Sequence, residues 1–201
     1  RITAPQVEEN INPDDVHHPR TTLVVAENTS NRGGGSVYDH KSLAEISRLC
    51  REKGLKFHLD GARIFNALIE SGTSPADMGT LFDSVSICLS KGLGAPVGSV
   101  LIGNKEFIRE SRRKRKVMGG GMRQAGYLAA AGIYAIENNI ERLEQDHQKA
   151  RILEKILENQ PFVSELDRVE TNIIIFTLTN GLTNSRILDA FKKERLLAIG
   201  F

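Results

Sequence analysis

The chain has 201 residues, 40% hydrophobic and 26% charged, an ordinary globular balance that is large enough for a substantial core and reads as one large domain or most of one. Its 27 basic and 25 acidic residues leave a formal net charge of +2, so no global field argues for nucleic acid or a membrane surface as partner. No apolar run approaches the roughly 20 residues needed to span a bilayer, and no basic head followed by an apolar core opens the chain. Cys50 and Cys88 stand at no metal-like or redox-like spacing and are expected to be reduced, buried thiols, which makes a cytosolic address the default and leaves no metal site to expect. Because the sequence opens on Arg1 without an initiator Met and ends at Phe201, where another strand would begin, it is expected to be an internal piece of a longer chain.

Residues 2–16 suit a helix end or a loop, and the β-branched run 21–26 reads as a buried strand. Gly33, Gly34 and Gly35 then demand a loop, after which Leu43, Ile46, Leu49 and Cys50 recur at helical spacing up to a stop at Gly54. A strand is predicted over 56–59, a helix over 63–71 ending at Gly72, and strands over 84–89 and 98–102. Asn104 caps a helix over 104–116, two long helices follow over 122–138 and 140–159, and a strand over 169–178 precedes a last helix over 185–196. This alternation predicts an α/β fold, a mostly parallel sheet flanked by helices, over residues 1–159, with a smaller α+β unit starting within 160–201.

Ligands of such sheets gather at the carboxyl ends of strands. Two polar groups follow directly on predicted strands there: Asp60, in His58-Leu59-Asp60-Gly61-Ala62-Arg63, and Lys91, in Ser90-Lys91-Gly92-Leu93-Gly94. A pyridinium nitrogen stays protonated when a carboxylate faces it, and a carbonyl cofactor is held covalently when an amine reaches its aldehyde carbon. The pair therefore suits pyridoxal phosphate. The bland alternatives are a helix cap for Asp60, an Asp60–Arg63 salt bridge and a solvated loop lysine. His58 shares a strand face with Asp60 and either braces its carboxylate or is an ordinary hydrogen-bonded core histidine. Gly119, Gly120 and Gly121, followed by Arg123, put a glycine loop and a charge ahead of a helix, where an anion can bind. The basic run from Arg112 to Lys116 falls at a helix end without interleaved aromatic residues, which favours a solvated or anion-facing edge over a nucleic-acid module.

Four stretches, 26–29, 58–67, 87–99 and 119–124, resemble the low-specificity L-threonine aldolases of the β-eliminating lyase group, fold type I pyridoxal-phosphate enzymes. The resemblance runs from the His17 region through the long helices and weakens after about Asn159. It implies a three-layer large domain in which Lys91 forms the internal aldimine with pyridoxal 5'-phosphate, Asp60 faces the ring nitrogen and Arg63 contacts the ring hydroxyl. It further implies His17 as the base near the substrate hydroxyl, Arg123 on the phosphate side across a subunit interface, and Lys116 near the same region. The implied reaction is retro-aldol cleavage of L-threonine or L-allo-threonine to glycine and acetaldehyde, in a cytoplasmic homotetramer with shared sites. Another β-eliminating lyase or an aminotransferase would use the same Asp and Lys. The family's N-terminal ring-stacking residue and phosphate cradle, and its C-terminal carboxylate-binding arginine, have no counterpart within these residues.

Overall fold

A computed structural model describes residues 1–200. Helix α1 (Ala4–Glu9) leads through a loop to β1 (Leu23–Glu27). Helix α2 (His40–Glu52) starts where Asp39 Oδ1 accepts the Ser42 N–H at 2.9 Å, and it turns Leu43, Ile46, Leu49 and Cys50 inward as a buried stripe. Strand β2 (Lys56–Gly61) feeds α3 (Ile64–Ser71), which stops at Gly72 with φ of 67°, a left-handed turn that suits glycine. A short helix α4 (Pro75–Gly79), capped by Ser74 and absent from the sequence expectation, precedes β3 (Ser84–Cys88). Strand β4 (Ser99–Gly103) is followed by α5 (Lys105–Val117), α6 (Gly126–Asn139) and α7 (Leu143–Leu157). The expected cap is present: Asn104 Oδ1 accepts the Phe107 N–H at 2.9 Å.

The four strands form one sheet in the order β1-β2-β3-β4, the first three parallel and β4 antiparallel to β3. Alternation puts Val24, Ala26, Phe57, Leu59 and Val85 on one face, where they meet the stripe of α2 and Ile64, Ala67 and Leu68 of α3 in the main core. Phe57 stacks against Phe82 with ring centres 4.4 Å apart. On the other face Leu23 and Val25 remain 50% and 48% exposed, in line with Glu27, His58, Asp60 and Ser86. Cys50 is buried as expected, and its thiol is pushed up by burial, with Asp83 adding to the effect. Cys88 lies on the more open face and is only half-buried.

The C-terminal unit differs from expectation. In place of one strand over 169–178 there are two short antiparallel strands, β5 (Val163–Leu166) and β6 (Phe176–Leu178), followed by α8 (Asn184–Lys193). Residues 169–175 are used otherwise, as a strap across the glycine loop that follows β1. The Val37 N–H donates to Glu170 Oε2 at 2.8 Å, Thr171 Oγ1 donates to the Gly35 carbonyl at 2.7 Å, and Arg1 pairs with Glu170. A Cβ at Gly35 would sit 2.4 Å from Thr171 Oγ1, so only glycine admits the strap, and its φ of 70° is the conformation glycine tolerates.

Candidate active site

Asp60 pairs in register with Glu27 of β1 on one side and Ser86 of β3 on the other, at the carboxyl edge of the parallel strands. Its Oδ1 accepts the Ala62 N–H at 3.1 Å, which turns the chain into α3, while Oδ2 has no hydrogen-bond partner among the described residues. Arg63 occupies the cap position of α3, half-buried, and makes no ion pair with Asp60. Two of the three bland expectations, those for Asp60, are thus set aside: the carboxylate supports a local turn without capping the helix, and the guanidinium is not spent on it; Lys91 itself is exposed. His58 does not brace Asp60 either, because its Nδ1 lies 2.7 Å from Ser84 Oγ on the neighbouring strand.

Lys91 follows β3 by three residues and opens a tight turn in which the Gly94 N–H donates to the Lys91 carbonyl at 2.9 Å. Leu89 is fixed on both sides of that turn, donating to the Gly98 carbonyl at 2.9 Å and accepting from the Ala95 N–H at 3.0 Å. Strands β2 and β3 are parallel neighbours about 4.8 Å apart, so the turn that carries exposed Lys91 leaves the sheet at the same carboxyl edge as half-buried Asp60. Asn28, one residue past the Glu27–Asp60 pair, donates its backbone N–H to the Asp60 carbonyl at 3.0 Å. Asn28 Nδ2 and Thr29 Oγ1 are buried there without partners among the described residues. The sequence reading gave these two residues no role, although they lie in one of the stretches that carry the resemblance.

The remaining residues lie elsewhere. Helix α1 starts near the carboxyl edge, where the Ile2 N–H donates to Tyr38 Oη at 2.7 Å, and ends near the opposite edge, where Glu8 meets Lys53 at 2.7 Å beside the start of β2. The loop after it closes on itself through Asn12, which donates to the Pro19 carbonyl at 2.8 Å and accepts nothing from the sheet, and re-enters β1 at its amino end. His17 sits in this loop, its side chain 85% exposed and 2.8 Å from Asp15 Oδ1. Hydrogen bonds from the His17 N–H and ring hold the Asp15 carboxyl below the usual carboxylate range. Within one chain, therefore, His17 lies at the edge opposite Asp60. Arg123 is exposed in the loop between α5 and α6, and Lys116 folds over Gly121. Arg112 to Lys116 are exposed along the end of α5.

The mostly parallel sheet flanked by helices has the architecture of the large domain of fold type I pyridoxal-phosphate enzymes. A solved structure from Listeria monocytogenes EGD-E shares this fold with a TM-score of 0.82 at 24% identity, covering 100% of this chain and 54% of that one. The beta-eliminating lyase family model matches residues 1–180, and the chain belongs to that family. It is 43% identical to the low specificity L-threonine aldolase of Escherichia coli K12 over 96% of this chain and 56% of that protein. It is also 39% identical to the low specificity L-threonine aldolase of Saccharomyces cerevisiae over 88% of this chain and 46% of that protein. The chain spans about half the length of the curated relatives it matches.

Members of this family depend on pyridoxal phosphate. The residues present fit that cofactor: Asp60 Oδ2 and the buried Asn28 Nδ2 and Thr29 Oγ1 lack hydrogen-bond partners among the described residues, and Lys91 and Arg63 follow the carboxyl ends of the neighbouring strands β3 and β2. Buried polar atoms are rarely left unpaired.

Proposed function

We propose that the full-length protein is a pyridoxal-phosphate-dependent aldolase that cleaves L-threonine or L-allo-threonine to glycine and acetaldehyde. The observation that carries this reading is that Asp60 and Lys91 stand at and just beyond the carboxyl ends of two neighbouring parallel strands, with Asp60 Oδ2 unpaired among the described residues. The bound cofactor supplies the electron sink for carbon–carbon cleavage. Lys91 contributes the amine that holds it, Asp60 a negative charge for its ring nitrogen, and Arg63, at the first turn of α3, a donor for its ring hydroxyl. Arg123 serves the phosphate. His17 takes the proton from the substrate hydroxyl, and Asp15, 2.8 Å from its Nδ1, orients the ring for that task.

His17 lies at the edge opposite Asp60 in its own chain and Arg123 is exposed in the loop between α5 and α6, which supports an assembly in which neighbouring subunits donate them. We read that assembly as a cytoplasmic homotetramer with shared sites, working in threonine catabolism and glycine supply. The cofactor-binding, connecting and C-terminal parts divide in this reading at about Asn159.

The direct test is Lys91→Ala in the full-length protein. The variant should lose both the visible absorption that borohydride fixes to the protein and the release of glycine from threonine; retention of the fixed label would refute the assignment. Product analysis of the wild type separates the reading from an aminotransferase or another β-eliminating lyase, since only the aldolase releases glycine from threonine.

A further inference from the structure

We infer that the corner between α6 and α7 positions Lys91, with Asn139 as the positioning residue that clamps the lysine turn; this rests on Lys91 being the lysine that holds the cofactor. Asn139 Nδ2 donates to the Leu93 carbonyl at 2.7 Å, inside the turn that Lys91 opens. The orientation of that amide is fixed, because Arg142 Nη1, which can only donate, takes Asn139 Oδ1 at 3.0 Å. Just beyond, Leu143 covers Gly92 so closely that a Cβ there would lie 2.8 Å from Leu143 Cδ2. A turn containing Gly92 and Gly94 would otherwise be among the most pliable segments of the chain.

The corner is itself tied to the element that leaves Asp60. One turn after Leu143, His147 is fully buried, and its Nε2–H donates to Asn66 Oδ1 of α3 at 3.0 Å; a turn further, Arg151 pairs with Glu70 at 2.6 Å. Helix α3 begins at the turn that Asp60 Oδ1 braces. A closed circuit of contacts therefore runs from Asp60 through α3 and α7 to Asn139, Leu93 and Lys91. It sets the separation of two groups that must reach opposite ends of one small ring, and near-attack geometry is sensitive to shifts of an ångström.

The test uses Asn139→Ala and Asn139→Asp in the full-length holoenzyme. The aspartate keeps the size and the Arg142 partner but cannot donate to Leu93. Both should keep the wild-type melting temperature to within a few degrees and KM to within about twofold, while kcat falls about tenfold. The pH midpoint of the cofactor's visible absorbance should move by about half a unit or more, which a merely structural role would not cause. Gly92→Ala should reproduce these changes, and adding Leu143→Val should reverse them in part by making room, so that the inference stays testable if an Asn139 variant folds poorly. Wild-type kcat and pH midpoint in the Asn139 variants, or no recovery in the double variant, would overturn the inference. Lys91→Ala separates the two failures: if it still retains the borohydride-fixed label, the assignment of Lys91 is wrong; if it loses the label while the Asn139 variants behave as wild type, only the clamp is wrong.

Discussion

Asp60 performs two tasks with its two oxygens. Oδ1 braces the turn into α3 through the Ala62 N–H, and Oδ2 has no hydrogen-bond partner among the described residues. Asp60→Asn retains an acceptor for that turn and replaces the charged second oxygen by a neutral NH2 donor. The variant should melt within a few degrees of wild type, and its turnover of threonine should drop about a hundredfold or more once a negative charge no longer faces the ring nitrogen. A parallel loss of folding would show that the carboxylate is structural. At the same scale, the resemblance marked Asp60, Lys91 and Arg63 because they sit in short motifs whose order survives in the linear chain. Asn139 and His147 carried no such mark. Their partners, Leu93 and Asn66, are distant in sequence, and nothing local in an Asn-rich helix end separates a surface amide from a clamp.

At the scale of elements, the paired helices α3 and α7 carry a titratable group in their seam. Burial lowers the pKa of His147 from its ordinary 6.5; Glu70 and Asp146 act against this, while Arg151 reinforces it. The fold thus favours the neutral ring that donates to Asn66. A group whose pKa is lowered on folding contributes stability that is present above its unfolded value and is lost as pH falls through the folded one. The melting temperature should decline as pH is lowered from about 7 to about 5, and His147→Gln, which keeps an N–H donor, should flatten that decline; equal slopes would assign the pH dependence to other groups. The strap over the glycine loop offers a second measurement. Thr171→Val leaves the Gly35 carbonyl without its buried donor and should cost about 1–3 kcal/mol by denaturant unfolding. The strap also explains the misread strand. The β-branched run from Ile173 to Ile175 has strand chemistry, but Glu170 and Thr171 are spent on a loop more than a hundred residues upstream, so only Phe176–Leu178 pairs with β5.

For the whole molecule, the direction of the strands decides which residues can share a site within one chain. The loop that carries His17 enters β1 at its amino end and Asp60 stands at the carboxyl end of β2, with a strand of about 13 Å between the two edges. If subunits complete one another's sites, mixed assemblies of His17→Ala and Lys91→Ala chains should recover activity that neither parent has, since some sites then draw both groups from intact partners. Absence of complementation in assemblies shown to be mixed would confine His17 to its own chain or remove it from catalysis.

The sequence by itself determined the alternation of strands and helices and the mostly parallel sheet, and it put Asp60 and Lys91 at the close of strands, because periodicity, caps and strand-end residues act over a few neighbouring positions. The tertiary structure alone decided that Asp60 keeps one oxygen unpaired, that His58 turns to Ser84, that His17 lies at the far edge, and that Asn139 grips the lysine turn. These outcomes depend on which side chains packing brings together across long separations, and on how buried polar atoms compete for the few partners within reach.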